Sequence, residues 1–150
     1  MRTIFMETTG ISANKSVAEI QYLLSEYGAS AILIEYEDNG IKALSFKYKT
    51  NGEEIPYRIP CQWPEIEQLL QKRHKRGPYK KDLKYEAKKI AWRQPRRWVE
   101  AQLAFLQARQ VKFEQAFLAY RLIGPNETLY ERLEALKFSL PLIELKERKK

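Results

Sequence analysis

Cysteine and histidine are nearly missing from this chain, and that removes several chemistries at the outset. Cys61 is the single cysteine, so the chain has no internal disulfide and no cysteine-based zinc site. Such usage fits a reducing, cytoplasmic setting. His74 is the single histidine. It sits between Arg73 and Lys75 with no carboxylate beside it to orient a catalytic base. Cys61 without a histidine partner reads as a structural thiol rather than a nucleophile. No phosphate-binding glycine loop, dinucleotide turn or His-x-x-x-His pair occurs. No apolar run approaches the roughly 18 to 20 residues of a membrane span, and MRTIFMETTG lacks the apolar stretch of a signal peptide. The expectation is a protein with no catalytic residues, no metal, no cofactor and no membrane partner.

The chain does hold enough apolar and aromatic residues, 44% and 12% of its 150, to exclude global disorder and to build one ordinary core. We read a single domain over 1–150, with a helix and β-meander in 9–60, a helical part in 63–137, and a frayed basic tail at 144–150. No internal repeat or long linker divides it.

Positive charge is unevenly placed. Between Lys72 and Arg97 there are 12 basic and 2 acidic residues, a local charge of 12 − 2 = +10. The remainder holds 27 − 12 = 15 basic and 19 − 2 = 17 acidic residues, net −2. So local an excess speaks of a polyanionic partner rather than of fold.

Along the chain, Ser12 or Asn14 caps a helix, Ser16 and Glu19 have capping-box spacing, and Val17, Ile20, Leu23 and Leu24 form an apolar face closed by Gly28. Three strands follow. Ser30–Tyr36 leads to a turn at Asp38-Asn39-Gly40. Ile41–Lys49 alternates, with Ile41, Ala43, Ser45 and Lys47 on one side and Lys42, Leu44, Phe46 and Tyr48 on the other. The Asn51-Gly52 turn then opens Glu54–Ile59, where Pro56 predicts an edge strand or bulge. Trp63-Pro64 starts a second helix, with Ile66, Leu69 and Leu70 inward, and Gly77-Pro78 stops it. A long helix from Lys81 to about Arg109 is expected to kink or break at Pro95. Val111–Tyr120 reads as another helix, and Gly124-Pro125-Asn126 as a turn. A last helix starts at Glu127 or Thr128, and an extended tail runs from Phe138 to Leu145. The fold class is therefore α+β: an N-terminal helix, a three-stranded antiparallel meander, then a C-terminal set of about four helices. The α-β-β-β-α start has the element order of double-stranded-RNA-binding domains. That fold carries lysines where this chain has the acidic Trp63-Pro64-Glu65-Ile66-Glu67.

On the long helix, spacing at about 100° per residue groups Leu83, Ala87, Ile90, Gln94, Trp98, Ala101 and Phe105 on one face, expected to be buried. Lys81, Lys84, Tyr85, Lys88 and Trp92 fall opposite. Rings among cations are what a nucleic-acid groove uses. A merely solvated lysine face, with Trp92 packed under a neighbour, is the plainer alternative. Carboxylates at two strand ends, Glu35, Glu37 and Asp38 with Glu53 and Glu54, raise a metal-dependent nuclease as a minor reading.

Several stretches resemble a family of small, functionally uncharacterised proteins of bacterial viruses and prophages. They are Ser12–Ile20, Gly28-Ala29, Ala91-Trp92-Arg93, Trp98–Ala104, Phe117–Tyr120 and Thr128-Leu129-Tyr130. The Ala-Trp-Arg and Trp-x-Glu-Ala-Gln-Leu-Ala motifs are the most specific part, and the chain departs from the pattern at Pro95 and Ala119. The resemblance implies a mobile-element setting and no particular activity. The sequence thus points to a non-enzymatic nucleic-acid-binding accessory protein. Lys72, Arg73, Lys75, Arg76, Lys80 and Lys81 would meet phosphates, extended by Lys84, Lys88, Arg93 and Arg96, with Tyr85 and Trp92 stacking or packing. The other reading is a protein-interaction module acting on a host factor or within a larger nucleoprotein complex.

Overall fold

Ser12 begins the first helix as the sequence requires: its hydroxyl oxygen accepts the Lys15 backbone N–H at 3.1 Å, and α1 spans Ala13–Glu26. The structure is a computed structural model and describes residues 3–38, 40–73 and 82–139. Gly28, at φ 97°, makes the turn into the sheet. The Ser16–Glu19 capping box is not formed. Both residues lie inside α1, Ser16 is buried, and Glu19 turns to another helix.

Strands β1 (Ala29–Glu37), β2 (Gly40–Thr50) and β3 (Glu53–Arg58) form an antiparallel sheet in the order β1-β2-β3. Asn51 and Gly52, at φ 51° and 83°, form the two-residue loop between Thr50 and its partner Glu53. Two positive φ values are what a tight hairpin loop needs to match strand twist. The clean alternation expected for β2 fails at one point. Glu35 pairs with Ala43 but Tyr36 pairs with Ile41, so Lys42 is an extra residue. This bulge turns Ile41 into the core beside Leu44 and leaves Lys42 exposed. Pro56 does sit on an edge strand, as expected from its missing N–H.

The core joins α1 (Val17, Ile20, Leu24) to the sheet (Leu44, Phe46, Tyr57, Ile59) and to the third helix. Helix α2 spans Trp63–Arg73 and α3 spans Leu83–Gln107. Trp92, Val99 and Leu103 of α3 enter this core, whereas Ala87, Ile90 and Ala91 form a second cluster with Ile66 and Leu70 of α2. The single buried stripe expected for α3 is therefore corrected. Leu83 to Trp98 of that stripe are at least partly buried, but Ala101 and Phe105 are exposed. The helix is held between α2 on one side and α1 with the sheet on the other, so two faces are buried. Helix α3 also runs unbroken through Pro95, which cannot donate to the carbonyl one turn back.

Beyond α3 the expected helix over Val111–Tyr120 is divided into a short α4 (Phe113–Ala116) and a 3₁₀ turn (Leu118–Tyr120). Phe117, between them, is fully buried and meets Phe46 edge-on at 5.7 Å. The Gly124-Pro125-Asn126 turn joins a small unexpected hairpin, β4 (Leu122–Gly124) with β5 (Glu127–Thr128). Thr128 and Glu131 then form a reciprocal cap for α5 (Leu129–Ala135). Phe138 lies in a turn at φ 55° rather than in a strand, and the rest of that expected extended run lies outside the described residues. The N-terminal lead also has structure: Glu7 donates its N–H to the Ile4 carbonyl at 2.9 Å, and the Phe5 carbonyl accepts from the Gln94 side chain at 2.8 Å.

Candidate nucleic-acid interface

The basic segment falls into three groups once the neighbours of each cation are known. The first group is structural. Arg93 is buried, at 5% exposure, and pairs with Glu19 of α1. Arg96 places its Nε 3.3 Å from the same carboxylate and pairs also with Glu100. Arg97 is 3.5 Å from Glu100. At the end of α2, Arg73 pairs with Glu7 of the N-terminal lead. Burial alone would raise the Glu19 carboxyl, but hydrogen bonds and charge from Arg93 and Arg96 outweigh it and hold Glu19 below its ordinary value. Glu100 is likewise held low, chiefly by its hydrogen bond from Arg96. These guanidinium groups tie α1 and the lead to the helical pair. The assignment of Arg73, Arg93 and Arg96 to phosphate contact is corrected to this role, because carboxylates from elsewhere in the chain already occupy them.

Trp92 belongs with that structural group. At 0% exposure it lies in the core, so its ring packs and does not stack on a base. Helical spacing had placed it opposite the buried stripe. The sheet covers that second face.

The second group has no carboxylate partner among the described residues, with Lys72 and Lys84 exposed and Lys88 half-buried. Lys72 is exposed in the last turn of α2, and Lys84 is exposed in the first turn of α3. Asp82 caps α3 and accepts the N–H groups of Lys84 and Tyr85 at 3.0 and 3.3 Å, which offsets the cost of a lysine at a helix N-terminus. The amines of Lys84 and Lys88 lie 5.2 and 5.0 Å from the ring centre of Trp63. Lys88 also reaches the β1–β2 turn, where a Cβ on Gly40 would come within 2.9 Å of its Nζ. Among the described residues, Lys72, Lys84 and Lys88 form no ion pair. Tyr85 is 53% exposed, and the amine of Lys89 lies 5.3 Å from its ring centre while pairing with Glu86 at 3.1 Å.

The third group, Lys75, Arg76, Lys80 and Lys81, together with His74 and the Gly77-Pro78 stop, lies outside the described residues. Its two ends are the last turn of α2 and the first turn of α3, where the open lysines are.

Trp63 is the functional candidate that the sequence reading missed, having served there only to open a helix. Its use as a platform depends on α2 packing against α3, and only the pairing of Ile66 and Leu70 with the 87/90/91 stripe could have signalled it.

The acidic alternative is not assembled. Glu37 and Asp38 stand at the Gly40 end of β2, whereas Glu53 and Glu54 stand at the Thr50 end. The 11 residues of β2 hold those ends apart, by roughly 30 Å. Among the described residues no group of three or more potential ligands is placed to hold a metal ion. Two recesses flank Cys61: an apolar one of about 620 Å³ lined by Phe5, Ile66, Pro95, Trp98 and Tyr120, and one of about 450 Å³ lined in part by Lys42, Arg58 and Glu131. Burial pushes the Cys61 thiol up to about 12, away from the thiolate form a nucleophile needs. Among the described residues no helix is long and apolar enough to cross a membrane. No family model, curated protein or solved structure matches the chain.

Proposed function

We propose that this chain is a non-enzymatic accessory protein that grips the phosphate backbone of a nucleic acid with the joined ends of α2 and α3, in the mobile-element setting that its sequence resemblance implies. The observation that carries the reading is the pair of amines on Trp63. Lys84 and Lys88 are one helical turn apart, without carboxylate partners among the described residues, and held by a ring rather than by an acid. A cation over a ring keeps its charge, and the contact contributes about 0.5–1 kcal/mol at an exposed site such as Lys84 and more at half-buried Lys88. It therefore positions the ammonium groups without neutralising them. Lys72 and the cations of 75–81 extend the same end of the molecule in sequence. Arg73, Arg93 and Arg96 hold the frame.

Recognition here rests chiefly on charge, because Trp92 is in the core and Trp63 is covered by lysines, which leaves Tyr85 as the exposed ring beside the cations. Binding to a labelled oligonucleotide, followed by anisotropy, tests the reading. The triple variant Lys72→Gln, Lys84→Gln, Lys88→Gln is expected to lower affinity at least about tenfold at low salt and to flatten its salt dependence by two to three phosphate contacts. Unchanged binding and unchanged salt dependence would remove the interface from this end of the molecule.

A further inference from the structure

The two edges of the main sheet are treated differently. On β3 the edge carries Pro56, and part of it is already met by an isolated bridge between Tyr57 and Arg121. Strand β1 has neither device. Its sequence, ASAILIEYE, contains no proline and no lysine, the two residues that most often blunt a free edge. Among the described residues β1 pairs only with β2, and no other backbone group bonds to it. In an antiparallel pair every second residue turns its N–H and C=O away from its neighbour, so this edge offers an unpaired ladder. Leu33 and Tyr36 stand out from it at 59% and 68% exposure.

The distribution of side chains selects the occupant. The ladder with β2 is regular from Ala31 to Glu35, between irregularities at Ser30 and after Glu35. That regular run is centred on Leu33. We propose that β1 pairs antiparallel with β1 of a second copy of this chain, about a two-fold axis at Leu33, joining the two sheets into one. In that register Leu33 meets Leu33, Ile32 meets Ile34, and each Glu35 faces an Ala31. Glu37 falls opposite Ala29. No acid faces an acid. Parallel pairing would set Glu35 beside Glu35 and Glu37 beside Glu37, which opposes it. Ile32 and Ile34, half-buried at the rim of the core, gain cover from their counterparts. A closed two-fold pair also uses up the edge, so no open fibre follows.

Sedimentation equilibrium of the full chain over micromolar to submillimolar concentrations is expected to show a dimer. Leu33→Lys brings two ammonium groups together on the axis and should weaken that dimer about tenfold or more, while the thermal midpoint of the monomer stays in place because the side chain is exposed. Leu33→Thr should retain the dimer. Leu33→Cys should form a disulfide with its own counterpart under mild oxidation, since directly opposed strand residues lie about 4.5–5.5 Å apart between Cα atoms, whereas Tyr22→Cys on α1 should not. A monomer throughout, a dimer indifferent to Leu33→Lys, or cross-linking no faster at position 33 than at position 22 would each overturn the proposal.

Discussion

At the scale of single residues, Arg93 and Trp92 show how a basic, aromatic sequence can be misread as a surface. Both look like ligand contacts in a row of cations, and both are buried. Removing Trp92 should cost stability, not ionic contact. Trp92→Ala is expected to destabilise by about 3–5 kcal/mol, read by denaturant unfolding, and to leave the salt dependence of nucleic-acid binding unchanged for the folded fraction. Glu19 is the residue on which Arg93 depends. Glu19→Gln leaves that guanidinium buried with less compensation and should destabilise by about 1–3 kcal/mol, below the full cost of a buried pair because Glu19 is partly exposed. The pH dependence has a definite sign. Since the Glu19 carboxyl is held below its ordinary value of 4.5 in the fold, its contribution is fully present above about that pH and is lost as pH falls through the lower folded value. The stability gap between wild type and Glu19→Gln should hold from pH 7 to 5 and narrow below it. A gap that persists unchanged at pH 3 would contradict the ion-pair role.

Elements were read well where local chemistry decides them and poorly where packing does. The Ser12 cap, the Asn51-Gly52 loop and the proline-marked edge of β3 all follow from backbone preferences that act over three or four residues, and all stand where expected. The Lys42 bulge was hidden, because a single extra residue in β2 leaves its apolar content unchanged. The β4–β5 hairpin was hidden too, since its strands are three and two residues long and too short for any periodic signal. Pro95 is the clearest conflict between local and tertiary preference. Packing on two faces keeps α3 continuous across a residue that costs about 3 kcal/mol in a helix interior. Pro95→Ala should therefore stabilise the fold by about 1 kcal/mol, the regained hydrogen bond being offset in part by lost burial and by a looser unfolded chain. A shift of the unfolding midpoint in the opposite direction would mean that the proline ring is needed for packing beside Trp98 and Ile66.

At the scale of the whole molecule, the sequence located the excess charge but not its division. The +10 between Lys72 and Arg97 is partly an internal frame. Five of its cations are paired: Lys89, Arg96 and Arg97 with Glu86 and Glu100 on α3 itself, and Arg73, Arg93 and again Arg96 with Glu7 and Glu19, which the N-terminal lead and α1 bring to it. The pairs within α3 have the spacing of helix neighbours and were legible, but Glu7 and Glu19, far off in sequence, leave no local pattern, and neither does Trp63 beneath Lys84 and Lys88. What remains open is the end of the α2–α3 pair, and the functional account stands on it. The slope of log affinity against log salt for the wild-type chain and an oligonucleotide tests that claim most directly. With Lys72, Lys84 and Lys88 as contacts, the slope is expected to be at least as steep as about −2 to −3. A flat line, or no association even at low salt, would contradict it.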